Sequence, residues 1–235
     1  MSDDYPAAHS MDTQWYAVDQ DGNVGFFDSS EEGGVPLLAP SDWTTEDDPE
    51  FAALHAIRFA RLLESGVDFD VPEQYRFERP QRIVVVLDPP DGVDPRDLSA
   101  YIPELDGEFM AKVRVEPPVV LMSRVELGGQ YIEDVRALDV VRGAWRIDTI
   151  EELLDHHRGP DGIYHFDYAE PMESPRPYRY ERTTAPTQAI QLSELPSAVR
   201  DKLLALRLQL DFEQARVVRI NRYVKSSEIK TWYSR

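Results

Sequence analysis

Apolar and polar positions change rhythm several times along this chain, and the changes outline its elements. Trp15-Tyr16-Ala17-Val18 and Val24-Gly25-Phe26-Phe27 flank Gln20-Asp21-Gly22-Asn23. Apolar and aromatic residues on both sides of Asp-Gly predict a β-hairpin, because glycine supplies the positive φ of a tight primed turn. Residues 29–34 read as a loop. At Asp48-Pro49 the period lengthens. Asp48 suits an N-cap, Pro49 the first helical position and Gly66 a stop, which predicts a helix with its body at 51–64. His55, Arg58, Arg61 and Ser65 make its polar stripe, and Phe51, Leu54, Ile57, Leu62 and Leu63 are expected to face the core.

Residues 82–87 form a continuous apolar, β-branched run, the pattern of a buried strand ended by Asp88-Pro89-Pro90-Asp91-Gly92. Residues 97–105 have the spacing of one helical turn. Strands are expected at 109–115 and 119–127, and shorter ones at 137–141 and 144–147. Asp148-Thr149 is expected to cap a helix at 150–157, with Glu151 and Glu152 near its positive end. Residues 163–168 read as a strand. Residues 169–188 carry Pro171, Pro175, Pro177 and Pro186 and read as an extended connector. A helix at 194–206, with Pro196 in its first turn, and strands at 215–223 and 229–233 complete the chain. Trp15, Trp43, Trp145 and Trp232 are expected in the core or at its edge. Strands and helices mix without a βαβ rhythm, so the fold class is α+β, with a largely antiparallel sheet and about three helices. The length of 235 residues and the lack of a repeat are read as one domain, 1–235. The connector precedes a C-terminal helix–strand segment, 189–235.

Charge changes this picture more than composition does. The formal net charge is −19, and it is uneven. Residues 1–80 hold 18 acidic and 4 basic side chains, residues 81–180 hold 20 and 11, and residues 181–235 hold 6 and 10. Such negative charge repels phosphate backbones and anionic lipid, so neither direct nucleic-acid binding nor membrane binding is expected of the first two-thirds, and a basic protein is the expected partner. Glu46, Asp47 and Glu50, in an acidic stretch ahead of and within the first helical turn, are the candidate partner-binding residues. The chain has no cysteine, which excludes disulfides, thiolate metal sites and cysteine nucleophiles. Residues 1–12 lack the basic and apolar regions of a signal peptide, and the apolar runs are too short to span a bilayer, so a cytoplasmic location is expected.

Candidate chemistry is sparse. Asp19, Asp21 and Asn23 with Gly22 begin like a calcium loop, but Val24 stands where a glycine is required and Ser30 where a bidentate glutamate is required. His156, His157, His165 and Asp167 are the candidate metal ligands, since imidazole and carboxylate suit zinc. His165 and Asp167 are two apart on a strand and would share a face. Against this, histidine at a helix C-terminus is favoured by the dipole alone, and no His-x-x-x-His pair occurs. Neither a Gly-x-Gly-x-x-Gly, a phosphate-binding loop nor a nucleophile elbow is present, so no cofactor and no catalytic residue is implied. Residues 176–182, with Arg176, Arg179, Arg182 and three aromatic or proline neighbours, are basic enough for a contact segment.

The opening WYAVDQDGNVGFF, residues 15–27, followed by Gly33-Gly34-Val35-Pro36, resembles the start of a group of uncharacterised bacterial proteins. It is also similar to the SUKH-type immunity superfamily, whose members are acidic α+β proteins that neutralise toxins by binding. The resemblance implies a bacterial binding protein without catalytic function and carries over no functional residue. Immunity-type binding of a basic partner is therefore the expected function. The alternatives are a metal-dependent enzyme built on the His/Asp cluster and a scaffold subunit that uses 176–182.

Overall fold

Residues 13–30, 33–40, 49–67, 81–88, 108–113, 118–124, 135–169 and 178–230 are described by the computed structural model. β1 (Gln14–Val18) and β2 (Val24–Asp28) form the hairpin, with Trp15 opposite Phe27 and Val18 opposite Val24. Its connection is longer than a two-residue primed turn. The Gly22 N–H donates to Asp19 O at 3.3 Å, the Asp19 N–H to Asn23 O at 3.0 Å, and Gly22 takes φ +90°. The Asp19 side chain replaces the shorter turn, as described below. β3 (Val35–Pro36) is followed by α1 (Pro49–Glu64), which ends at Gly66 with φ +73° as its sequence requires.

β4 (Gln81–Leu87), β5 (Glu108–Val113), β6 (Val119–Arg124) and β7 (Val141–Arg146) come next, and α2 (Ile147–His156) continues directly from β7. β8 (Tyr164–Tyr168), β9 (Arg179–Thr184), α3 (Ser197–Leu203), β10 (Val217–Arg219) and β11 (Ile229–Lys230) complete the order. The fold is α+β with largely antiparallel sheets. Among the described strands, β2 and β8 pair in parallel. Among the described residues no helix is long and apolar enough to cross a membrane.

Several elements depart from the sequence reading. β9 lies inside the expected connector, because Pro175, Pro177 and Pro186 flank the strand without entering it. Residues 137–140 form turns, with Leu138 N–H donating to Val135 O and Val141 N–H to Leu138 O. Their apolar side chains pack as a cover on the sheet, which the pattern alone does not separate from a strand. α2 starts at Ile147, with Arg146 in the N-cap position and no side-chain cap. α3 is shorter than 194–206, since Pro196 occupies its N-cap position and a separate 3-10 turn, Leu192–Glu194, precedes it. β10 is three residues long and passes into another 3-10 turn, Ile220–Arg222. Asp48, residues 97–105, Trp43 and Trp232 lie outside the described residues.

The chain divides into two compact units where the sequence reading has one domain. The first joins residues 1–48 to 162–235, and the second is the continuous stretch 49–161. The 189–235 segment therefore belongs with the N-terminal hairpin. In the first unit the sheet order is β1-β2-β8-β9-β10, with β3 and β11 paired separately. Facing positions on three neighbouring strands build a stack of rings. Trp15 and Phe27 lie 4.1 Å apart at 10°, and Phe27 and Phe166 lie 4.7 Å apart at 9°. Tyr180 meets Trp15 and Phe27 edge-on, as ring quadrupoles favour. Leu206, Leu208, Phe212, Val218 and Ile220 close over this face. Phe212 packs where Gly25 has no side chain, and a Cβ there would come within 2.7 Å of the Phe212 ring.

In the second unit the sheet order is β5-β6-β4-β7. α1 packs over β5 and β6, and α2 over β4 and β7. Phe59 of α1 meets Trp145 of β7 at 4.9 Å. The alternate positions Ile83, Val85 and Leu87 of β4 face a second cluster with Val120, Val135 and Ala144. Both faces of β4 are buried, which explains a continuous β-branched run in place of alternation.

Candidate functional sites

The hairpin connection in the first unit is organised by a buried carboxylate. Asp19 Oδ1 accepts from the backbone N–H of Asp21 at 2.9 Å and of Asn23 at 2.8 Å. Asp19 Oδ2 accepts from Asn23 Nδ2 at 2.8 Å and from the Phe212 N–H at 3.0 Å. Gln191 Nε2 donates to Asn23 Oδ1, and Arg207 donates to the carbonyls of Asp19 and Gln20. Four donors satisfy both oxygens of Asp19 and tie the hairpin to residue 212, far along the chain. Asp21 and Asp211 bring carboxylate oxygens within 4.8 Å of those of Asp19, the one such grouping of three potential metal ligands among the described residues. The turn accounts for Asp19 through its own hydrogen bonds. Nearby, burial raises the Tyr164 phenol above its ordinary value, and the carboxylates of Glu213, Asp19 and Asp211 add to the shift while Arg182 opposes it.

The four candidate metal ligands are divided between the two units. His156 is an exposed residue at the end of α2, where its Nδ1 lies 2.7 Å from Glu152 O. His157 is the C-cap of that helix, and its N–H donates to Leu153 O. Both belong to the second unit. His165 and Asp167 belong to β8 in the first unit. His165 is fully buried, with its ring 5.2 Å from Phe26, while Asp167 is half-buried opposite Asp28.

The sequence reading missed the buried ionic groups of α1. The expected polar stripe does not face water at His55 and Arg58, which are 4% and 3% exposed. His55 Nδ1 lies 3.1 Å from Glu151 Oε1 of α2. Arg58 Nε and Nη2 donate to Asp161 Oδ2 at 3.0 and 2.8 Å, and Asp161 Oδ1 accepts from the Gly159 N–H at 3.2 Å. A guanidinium and a carboxylate removed from water together need this compensation. The available signal was that α1 is apolar almost all round, which argues for a buried helix.

Glu46 and Asp47 lie outside the described residues, as does the side chain of Glu50, whose backbone is in the first turn of α1. Of the 176–182 segment, residues 178–182 are described and four of them run in β9. Tyr180 is fully buried, accepts from Trp15 Nε1 at 3.3 Å and donates to Gly34 O at 2.9 Å. Burial pushes its phenol far up. At the end of β9 an open cleft of about 530 Å³ is lined by residues 181–185, Arg216 and Val217. Arg182 forms one wall, held by hydrogen bonds from Nη1 to the carbonyls of Phe212 and Glu213.

Compared with family models, with characterised proteins and with solved structures, the chain matches none.

Proposed function

We propose that this chain is a cytoplasmic bacterial binding protein of immunity type, without catalytic activity, that neutralises a basic protein through its acidic surface. The observation that carries the reading is charge: the first 180 residues hold 38 acidic and 15 basic side chains. A field of that sign speeds encounter with a basic partner and disfavours acidic ones. The resemblance of residues 15–27 and 33–36 to immunity proteins supports the same reading. Glu46, Asp47 and Glu50 are the residues assigned to first contact.

The test is kinetic. A partner captured by the wild-type chain should bind less tightly as salt rises, because the Debye length at physiological ionic strength is about 8 Å and exposed charges are screened beyond it. The triple change Glu46→Gln, Asp47→Asn, Glu50→Gln should slow association more than it speeds dissociation. A partner that is itself acidic, or that binds independently of salt, would defeat the proposal.

A further inference from the structure

β10 ends the five-stranded sheet, with one edge paired to β9 and no described strand on the other. Its register states which backbone groups face outward. The Arg182 N–H donates to Arg216 O and the Ile220 N–H donates to Tyr178 O, each at 2.9 Å. Such close pairs recur at every second residue of an antiparallel ladder. Residues 216, 218 and 220 therefore address β9, and the N–H and C=O of Val217 and Arg219 point away from it. Val217 is 40% exposed, and Arg216, Arg219 and Arg222 are exposed as well.

The surroundings of this edge differ in sign from the rest of the molecule. Residues 214–230 contain Arg216, Arg219, Arg222, Lys225 and Lys230 against one acidic residue, Glu228. The cleft at the end of β9 adjoins the edge, since Arg216 and Val217 line both. Glu181, the acidic residue in that lining, is already paired with Arg179.

We propose that the outer edge of β10 receives an acidic, extended segment of a partner protein as an added strand, with the adjoining cleft taking one of its side chains. Strand addition draws affinity from main-chain hydrogen bonds and specificity from pockets for alternate side chains. An edge with no described strand on it, a basic flank and a cleft supply each of these. A second copy of this chain is the poorer occupant. Edge-to-edge pairing would bring Arg216 and Arg219 of both copies within the roughly 5–8 Å that separates facing and diagonal neighbours, where like charges repel. The arginines that protect a short edge from indiscriminate pairing thus admit a guest of opposite charge. This guest is opposite in sign to the basic partner proposed above, so the two surfaces are separable.

The experiment uses the full chain and three fluorescent probes: an alternating glutamate–valine octapeptide, its lysine–valine counterpart and single-stranded oligothymidine. The acidic peptide is expected to bind and the lysine peptide not. Val217→Pro removes one outward N–H and leaves the bonds of 216, 218 and 220 to β9 intact. That variant, and separately Arg216→Glu with Arg219→Glu, should weaken binding about tenfold, the upper scale of one lost main-chain hydrogen bond. Hydrogen exchange on the wild-type chain gives a readout independent of how the variants fold. The amides of Val217 and Arg219 should gain protection when the acidic peptide is added. Unchanged exchange at both amides overturns the proposal. So does binding of the oligonucleotide in preference to the peptide, which would make the strip a polyanion site.

Discussion

Around Phe27 the first unit is filled with rings, while around Val85 the second is filled with branched aliphatic side chains, and the two units also bury polar groups differently. Among the described residues, no charged side chain bonds the Asp19 carboxylate. Its oxygens take three backbone N–H groups and one amide. Asp161 in the second unit takes a guanidinium, with one backbone N–H beside it. Both carboxylates are fully buried. The contrast teaches that burial of a carboxylate is solved either by local chain geometry, which shapes a turn, or by a distant counter-charge, which links elements. Asp19 fixes a connection five residues long, and Arg58–Asp161 fastens a helix to the loop that closes the unit.

The largest effect should come from separating the counter-charges. Asp161→Asn leaves Arg58 buried beside a neutral group, and urea unfolding should show a loss of about 3–5 kcal/mol. Replacing both residues, Arg58→Met with Asp161→Leu, should recover part of it, because the two paired charges are then removed together. Failure of the double change to recover stability would show that the pair acts through shape. Asp19→Asn should cost about 1–3 kcal/mol, since its amide presents donors where backbone donors already point. No change of Asn23 should restore that loss, in contrast to the rescue in the other unit. The last effect, at Tyr180→Phe, is expected to be about 1–2 kcal/mol at neutral pH, since the buried Gly34 carbonyl and Trp15 Nε1–H both lose this partner. Its pH dependence is more telling. Burial raises the folded phenol, so above about pH 10 the unfolded chain loses a proton that the folded chain keeps, and stability falls as pH rises. Tyr180→Phe should flatten that alkaline decline in pH-resolved melts. An unchanged slope would assign the decline elsewhere, with Tyr164 the next candidate.

The same contrast explains what was legible in the sequence. The β-branched run at 83–87 announced a strand buried on both faces, and Asp-Gly among aromatics announced the hairpin. α1 was legible from Pro49 to Gly66. The polarity of its His55 and Arg58 was misread, because a sequence lists charges without their partners. Glu151 and Asp161 lie about a hundred positions on. β9 was hidden by the prolines on either side of it, since composition averages over a window while a strand needs only six clear residues. The four metal-ligand candidates were linked by nearness in sequence. The fold assigns two to each unit.

The parallel pairing of β2 with β8 has a consequence in time. Residues 29–163 lie between those strands, so the ring stack of Trp15, Phe27 and Phe166 cannot form until the whole intervening stretch has been made. The 49–161 unit is continuous in sequence and complete once residue 161 has been made. During synthesis, which proceeds from the N-terminus, that unit can fold first. The hairpin must wait with its aromatic face uncovered. When β8 and residues 206–212 emerge, the aromatic face of the hairpin gains its cover. The middle of this protein is thus complete before its two ends can be joined.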